Sequence, residues 1–251
     1  MVNVIDKAFL ILERIAVSAP VPMLPTQIAD ELNLNRATCS RLLKQLMDMG
    51  YLLKVSRQQG YVPGPKFLTM GNLARFQQDF LMIAGPVIDR CAEDLQASVL
   101  TAQLYHGKRY VLYHKNLSPE LDIRITQPCF DDIFETATGV LLIAHSSAEE
   151  QIRCFRDCKR TEHDTLSGFS TEQEMMETLD QVVKQGFVFS KKQYQWVYAY
   201  PISRNGAVFA ALGASIGVEQ HSVSAHERIC RVLQDSAAEI SRKLTPKYTI
   251  G

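Results

Sequence analysis

The sequence predicts an α+β protein with two domains, a small helical one followed by a larger one built on an antiparallel sheet. Residues 4–50 carry apolar side chains at helical spacing in three separate segments. From residue 98 onward, runs rich in β-formers alternate with helical segments, and Arg204-Asn205-Gly206 joins two such runs in a pattern typical of a tight hairpin. The 251 residues suffice for two modest cores.

Composition narrows the class of protein. Hydrophobic residues make up 46% of the chain, charged residues make up 22%, and the formal net charge is zero, as in ordinary soluble proteins. No run reaches the roughly 18 to 20 apolar residues of a membrane-spanning helix, and the first residues lack a signal-peptide pattern. The six cysteines show no paired spacing. We therefore expect a cytoplasmic chain with reduced thiols and no membrane contact.

The first domain begins with three predicted helices. The first runs from Val4 to Ile15 and ends before the prolines of "SAPVPMLP", and the second begins at Pro25, a residue favoured in a first helical turn. Asn33-Leu34-Asn35 breaks the second helix, with Leu34 as a buried plug and Asn35 as the cap of the third. In the third helix, the spacing i, i+3, i+4 and i+7 predicts an inward face: Cys39, Leu42, Leu43 and Leu46.

The other face of the third helix is basic and sterically open. Residues 36–57 contain five basic side chains and one acidic side chain, a local balance of +4. "YLLKV" and "YVPG" predict two short strands joined by the turn "SRQQG", the pattern of a wing beside a helix-turn-helix. Such a module reads double-stranded DNA, and small residues let its third helix approach the base edges. The predicted DNA-contacting residues are Arg36, Ala37, Thr38, Ser40, Arg41, Lys44 and Arg57. A plain helical bundle with a solvated basic face is the alternative.

The winged domain, residues 1–66, is predicted to continue through a helical linker over 67–80 into the second domain, 81–251. "DFLMIAGPVIDRCAEDLQAS" predicts a helix that Gly85-Pro86 starts or kinks. His106-Gly107 indicates a hairpin, "LDIRITQ" a third strand, and "FETATGVLLIAHSS" a buried helix that opens near Thr138-Gly139. A later helix is capped by Ser170 or Thr171 and stopped by Gly186. Three further strands and a final helix over 225–244 complete an antiparallel sheet flanked by helices.

Taken in this order, several motifs resemble the IclR family of bacterial transcriptional regulators over essentially the whole chain. They include Arg41-Leu42-Leu43, Gly50-Tyr51, Tyr61-Val62-Pro63-Gly64 and Ala199-Tyr200-Pro201. The resemblance implies a homodimer, or a dimer of dimers forming a homotetramer, with an operator that is palindromic because a two-fold dimer presents two recognition helices. It also implies a GAF-like effector domain that binds a small organic acid and alters operator binding.

The resemblance also implies an effector site at the start of the helix that carries Thr138-Gly139, where the family has an alanine-glycine pair. Helix N-termini present unsatisfied N–H groups that suit an anion. The positions that correspond to the family's site are Thr138, Gly139, Ser190, Val197, Gly213 and Ser215. Ser190 stands for an acid, Val197 for a cysteine and Gly213 for a serine. The lost acid and the added Lys191 and Lys192 favour a more anionic ligand, or a larger one stacking on Trp196 or Tyr198, unless the pocket is purely structural.

Catalytic motifs are missing from the sequence. It contains no phosphate-cradling glycine loop, no His-Glu-x-x-His and no nucleophile elbow, so we expect no catalytic residue and no cofactor. Cys154, Cys158 and His163 could be drawn as a metal site, but no second liganding pair accompanies them, and we expect no metal. His221 and His226 predict a surface loop and a helix cap. The alternative function is a small-molecule-binding or enzymatic domain whose N-terminal helices serve only for dimerisation.

Overall fold

The computed structural model describes residues 3–56, 58–67, 75–157, 169 and 171–244, with the side chains of 75–78 left aside. The chain divides into two compact units, residues 1–76 and 77–251, and each is described by itself. The predicted linker, 67–80, includes residues outside the described ranges, so the domain bounds 1–66 and 81–251 stay predictions. No described helix combines the length and the apolar run that crossing a lipid bilayer requires.

The N-terminal unit contains the three predicted helices and the two predicted wing strands. Local capping sets the helix starts: the Asn3 side chain accepts a hydrogen bond from the Ile5 N–H, Pro25 occupies the first turn of its helix, and Asn35 caps the third. Asn33, with φ of +51°, turns the chain between the second and third helices. The elements are α1 (Val4–Ser18), α2 (Pro25–Glu31), α3 (Arg36–Asp48), β1 (Leu52–Ser56) and β2 (Gly60–Pro63).

The core of this unit lies between the three helices and the two wing strands. The predicted inward face of α3 is confirmed, since Cys39, Leu42, Leu43 and Leu46 are all buried. They share one cluster with residues of α1 and α2 that include the fully buried Ile11, Ile15 and Ile28. Leu34, predicted as a buried plug, is half-buried and packs against the edge of the same cluster. With its inner face fixed in this way, α3 turns its opposite face to solvent.

The C-terminal unit is a six-stranded antiparallel sheet with helices on both faces, which confirms the predicted α+β class. The strand order is β5-β4-β3-β8-β7-β6. Asn205 and Gly206, both at positive φ, make the tight turn between β7 and β8 that the sequence predicted. The elements are α4 (Arg75–Leu95), β3 (Ser98–Tyr105), β4 (Lys108–Asn116), β5 (Cys129–Phe130), α5 (Ala137–Ala144), α6 (Ala148–Asp157), α7 (Glu172–Gln185), β6 (Val188–Lys191), β7 (Gln195–Arg204), β8 (Ala207–Gly217) and α8 (Val223–Leu244).

Two hydrophobic layers sandwich this sheet. On one face, α4 and α8 pack on the side chains of Val99, Tyr198 and Leu212. On the other face, α5 and α7 pack on Ala102, Val197 and Ala211. Every residue of α5 is buried, so this short helix lies in the middle of the second layer. The N-terminus of α5 therefore lies inside the domain and not at its surface.

Two predictions about the second domain are wrong. Residues 121–127 do not form a strand, because the Asn116 side-chain amide donates to the carbonyls of Leu121 and Ile123, at 2.8 and 3.3 Å, and holds the segment as a loop beside the end of β4. His221 does not lie in an exposed loop, because its ring stacks on Trp196 with centroids 4.0 Å apart. The Tyr198 hydroxyl lies 3.0 Å from both His221 Nε2 and His226 Nδ1, so tertiary contacts hold both rings half-buried.

Candidate functional site

The first candidate site is the solvent-facing side of α3. Of the residues predicted there, Arg36, Ala37, Ser40, Arg41 and Lys44 are exposed, and Thr38 is half-buried. The face begins at Asn35, whose side-chain oxygen accepts hydrogen bonds from the N–H groups of Ala37 and Thr38 at 2.9 and 3.4 Å. This cap fixes the first turn of α3, and therefore the direction in which the small residues point.

The charges on this face are available for an external partner. Arg36 makes one long contact, 3.5 Å, to Asp30, and both side chains are largely exposed, so the pair contributes little. Arg41 and Lys44 form no ion pair with any residue that the structure describes. A helix with free cations and small side chains on one face can contact phosphates and base edges in a major groove.

The wing lies next in sequence after α3. β1 and β2 pair antiparallel, and the ammonium group of Lys54 sits 5.7 Å from the centre of the Tyr61 ring. At the tip, Ser56 Oγ accepts hydrogen bonds from the N–H groups of Gln58 and Gln59, at 3.3 and 3.0 Å, which orders the turn. Arg57, the predicted wing contact, lies outside the described residues.

The second candidate site is a cavity of about 220 Å³ beside the N-terminus of α5. Four of the predicted effector residues line it: Thr138, Val197, Gly213 and Ser215. Gly139 and Ser190 are not among its lining residues. The structure thus brings together β3, β7, β8 and the start of α5 around one space, as a binding site needs. These four positions and the two outside the cavity stay predictions for ligand contact.

Close packing fixes the start of α5 and explains why Gly139 takes no part in the cavity. Its N–H donates to Thr136 Oγ1, at 3.2 Å, as part of the helix cap. A side chain at Gly139 would place its Cβ 2.3 Å from the carbonyl oxygen of Ile133, so only glycine fits. The sheet approaches the same helix closely at Gly213, where a Cβ would lie 2.4 Å from the Thr138 methyl group.

Two charged residues stand in the cavity wall, and one of them, Arg109, was not predicted from the sequence. Arg109 lines the cavity and forms a two-point ion pair with Asp132, with Nε–Oδ1 at 2.8 Å and Nη2–Oδ2 at 2.5 Å. Lys192 also lines the cavity, and its ammonium group donates to the Glu135 carbonyl. Both cations therefore lie against the turn that leads into α5. Lys191 and Lys192 were already associated with a more anionic ligand, whereas no sequence signal distinguishes Arg109 from other strand arginines.

The remaining walls of the cavity combine aliphatic residues with polar ones, among them Ser98, Gln195 and Tyr198. Leu100 and Val197 project from the sheet, and Ile123 and Ile125 come from the loop that was predicted to be a strand. An aliphatic wall with cations at one end can hold an acid with an apolar body. The cavity is smaller than the sites of about 300–1,000 Å³ that hold drug-sized ligands, so a ligand must be small.

The possible metal site drawn from Cys154, Cys158 and His163 lies mostly outside the part of the chain that the structure describes. Cys158 and His163 lie outside the described residues. Burial raises the pKa of the Cys154 thiol to about 11, so this thiol is protonated at neutral pH. Within the described part of the chain, no three His, Cys, Asp or Glu residues are arranged to hold a metal ion.

The chain matches known proteins in sequence over its N-terminal helices and in fold over nearly its whole length. Residues 4–56 match the model of the IclR helix-turn-helix domain. The whole chain is similar in fold to three solved IclR structures. An IclR homolog from Microbacterium hydrocarbonoxydans complexed with 4-hydroxybenzoate has a TM-score of 0.79 at 17% identity, covering 96% of this chain and 99% of that chain. An IclR transcriptional regulator from Alicyclobacillus acidocaldarius has a TM-score of 0.76 at 19% identity, and the match covers 97% of this chain and 99% of that chain. The IclR of Thermotoga maritima has a TM-score of 0.67 at 20% identity, and the match covers 97% of this chain and 99% of that chain.

The resemblance to the IclR family is confirmed by these matches, through the domain model for the N-terminal helices and through the shared fold for the chain as a whole. No curated protein sequence is significantly similar to the chain.

Proposed function

Because residues 4–56 match the IclR helix-turn-helix domain in a chain with the fold of solved IclR structures, we propose that this protein is a ligand-responsive transcriptional regulator. Its N-terminal domain binds double-stranded operator DNA, and its C-terminal domain binds a small organic acid. The active form is a homodimer or a dimer of dimers on a palindromic operator, since two copies of α3 related by a two-fold axis read two half-sites. The chain acts in the cytoplasm and is not an enzyme.

The observation that carries this proposal is the exposed face of α3. Arg41 and Lys44 have no internal ion-pair partner in the described structure, and exposed Ala37 and Ser40 leave room for a duplex. We assign Arg41 and Lys44 to phosphates or guanine edges, and Arg57 to the backbone or the minor groove. Arg36, Ala37, Thr38 and Ser40 then set the sequence preference.

The effector half of the proposal rests on the cavity at α5. The relative from Microbacterium hydrocarbonoxydans is complexed with 4-hydroxybenzoate, an acid on an apolar ring. The cavity of this chain offers aliphatic walls with Lys192 and Arg109 at one end. Thr138, Val197, Gly213 and Ser215 are the proposed contacts. Gly139 supports the helix start without lining the cavity, and we keep Ser190 as a proposed contact on the resemblance alone.

A gel-shift titration at two salt concentrations tests the DNA-binding half. The probe is the DNA upstream of the protein's own gene, and small carboxylates are added in parallel. The logarithm of the affinity should fall linearly with the logarithm of the salt concentration, by about 0.9 for each neutralised phosphate. Arg41→Ala should weaken binding across all sequences and reduce that slope by about 0.9 if Arg41 contacts a phosphate. Arg124→Ala removes an exposed charge from the other unit and serves as the matched control.

Two results would contradict the proposal. Unchanged affinity of Arg41→Ala would mean that α3 does not contact the DNA. Binding no tighter than to random DNA, with or without carboxylates, would favour the alternative in which the N-terminal helices only dimerise. In that case deleting residues 1–70 would abolish assembly but leave ligand affinity in the C-terminal unit.

A further inference from the structure

A chain of polar contacts between β7 and α8 ends at a cysteine. The Tyr198 hydroxyl lies 3.0 Å from Nδ1 of His226, and Nε2 of the same ring lies 3.6 Å from the Cys230 Sγ. At the other end of the chain, the hydroxyl lies 3.0 Å from Nε2 of His221. Four side chains that can donate or accept protons are therefore connected, and none of them has a role in the proposed DNA-binding face.

Aromatic packing holds the two imidazole rings of this chain in place. His221 stacks on Trp196 with ring centroids 4.0 Å apart, and the Phe189 ring lies 4.5 Å from that of His226. Tyr198 between them is 1% exposed. Since close-packed rings cannot turn without losing these contacts, the nitrogen of His226 that faces Cys230 keeps its position.

The protons of the chain can be arranged so that His226 acts as a base. Burial, and then the charges of His226 and Lys191, lower the pKa of His221 below the ordinary 6.5, so His221 is uncharged at neutral pH. Its Nε2 can then accept the Tyr198 hydroxyl proton. The Tyr198 oxygen in turn accepts the Nδ1–H of His226. This assignment, which follows from the hydrogen-bond network, leaves His226 Nε2 unprotonated beside the sulfur.

Cys230 differs from the other described cysteines in access and in partners. Cys39, Cys91 and Cys154 are buried, and burial raises the pKa of each of these thiols. Cys129 and Cys230 are both half-buried. The Cys129 thiol has no hydrogen-bond partner among the residues that the structure describes, whereas Cys230 has His226. A reactive thiol needs both access and a base, because the thiolate is the nucleophile.

The Tyr200 hydroxyl is a second polar neighbour of Cys230. Burial and a hydrogen bond with Cys230 raise the pKa of Tyr200, so this hydroxyl keeps its proton. A hydroxyl that donates to the sulfur stabilises the negative charge that develops there. Cys230 therefore has a base, His226, and a hydrogen-bond donor, Tyr200.

We infer that Cys230 is a modification site that reacts with small disulfides by thiol–disulfide exchange, with His226 as its base. His226 Nε2 takes the thiol proton while the Cys230 sulfur attacks one sulfur of the disulfide. The new S–S bond forms as the old one breaks, and the other half leaves as a thiolate with the electron pair of the broken bond. Cys230 is oxidised and the small disulfide is reduced.

Tyr198 is a positioning residue in this chemistry, since it touches His226 and not the reacting atoms. The reagents that fit the half-buried thiol are the oxidised forms of low-molecular-weight thiols. The reaction requires neither the exposed face of α3 nor the cavity beside α5.

The first test compares Cys230 with Cys129 in the wild-type full chain. The probe is dithiodipyridine, a neutral disulfide, and mass spectrometry of tryptic peptides gives the rate of modification at each cysteine. At pH 7, Cys230 should react at least about tenfold faster than Cys129, because only Cys230 has a base beside it. At about pH 9.5, above the ordinary thiol pKa of about 8.5, the ratio should fall toward one because a base is no longer needed.

Three variants test the roles of the individual side chains. His226→Gln can still form a hydrogen bond but cannot act as a base, so it should slow Cys230 by about tenfold at pH 7 and leave the rate at about pH 9.5 unchanged. Tyr198→Phe keeps the buried ring and should slow Cys230 at pH 7 by roughly two- to tenfold, the effect of one lost hydrogen bond. His106→Asn removes an exposed imidazole from the turn between β3 and β4 and should have no effect.

The rate at Cys129 in the same sample is the reference, and circular dichroism with thermal unfolding shows whether each variant is folded. Equal rates at Cys230 and Cys129 in the wild type at pH 7 would overturn the inference, and so would a ratio that does not change with pH. An equal loss at both pH values in His226→Gln would mean that the substitution closed access to the thiol, which would overturn the role of His226 as a base. The wild-type comparison needs no variant and decides the matter even where a variant does not fold.

Discussion

Replacing the cap of α3 should separate the stability of the N-terminal unit from its ability to bind DNA. In Asn35→Ala, the N–H groups of Ala37 and Thr38 lose the acceptor that now lies 2.9 and 3.4 Å away. Loss of an asparagine N-cap costs about 1 kcal/mol, within a range of roughly 0.5 to 2. For a domain of 60–100 residues this corresponds to a fall in Tm of about 4 to 8 °C.

Asn3→Ala is the matched control, because Asn3 caps α1 in the same unit and accepts a hydrogen bond from the Ile5 N–H at 3.2 Å. We expect both variants to lose similar stability by thermal unfolding. Only Asn35→Ala should also lose operator affinity, because only there does the first turn of the proposed recognition helix fray. Asn35→Ser keeps a capping oxygen and should restore both properties.

Gel shifts on the three variants, at a temperature where all are folded, decide the matter. Equal loss of affinity in Asn3→Ala and Asn35→Ala would mean that DNA binding follows stability alone. Unchanged stability in Asn35→Ala would refute the capping argument itself.

Three further predictions concern the packing and titration of buried groups. Gly139→Ala should destabilise the C-terminal unit by about 1 to 3 kcal/mol in urea unfolding. The new Cβ would lie 2.3 Å from the Ile133 carbonyl oxygen and must move away by at least 0.7 Å to reach 3.0 Å. Unchanged stability would refute the clash. Leu43→Ala should cost about 2 to 5 kcal/mol in urea unfolding because Leu43 is fully buried, and a loss below 1 kcal/mol would contradict that packing. Burial lowers the pKa of His145 below its ordinary 6.5, so the unfolded chain takes up the proton first. The free energy of unfolding should therefore decline as pH falls below about 6.5. In urea titrations, His145→Gln should show a smaller decline between pH 7 and pH 5 than the wild type. An identical decline would argue against His145 as the group responsible.

The winged domain could be predicted almost completely from the sequence, because its determinants are local. The cap at Asn35, the proline at Pro25 and the inward spacing of Leu42, Leu43 and Leu46 each act within one or two helical turns. The geometry of such short-range interactions is set by residues that are neighbours in the sequence. The turn at Asn205-Gly206 in the second domain was predictable for the same reason.

The cavity beside α5 depended on contacts between distant segments. Arg109 becomes a candidate ligand-binding residue only because Asp132 pairs with it and α5 begins beside it. Residues 121–127 have the composition of a strand, but the Asn116 side chain takes two of their carbonyls, and the loop supplies Ile123 to the cavity.

By itself, the sequence determined where the helices of the winged domain begin, which faces they bury, and which family the chain resembles, because these follow from neighbouring residues and their order. Only the tertiary structure decided that Gly139 supports α5 from outside the cavity while Arg109 and Lys192 enter it. The physical reason is that the charge and shape of a cavity are set by side chains far apart in the chain, whose meeting no local pattern encodes.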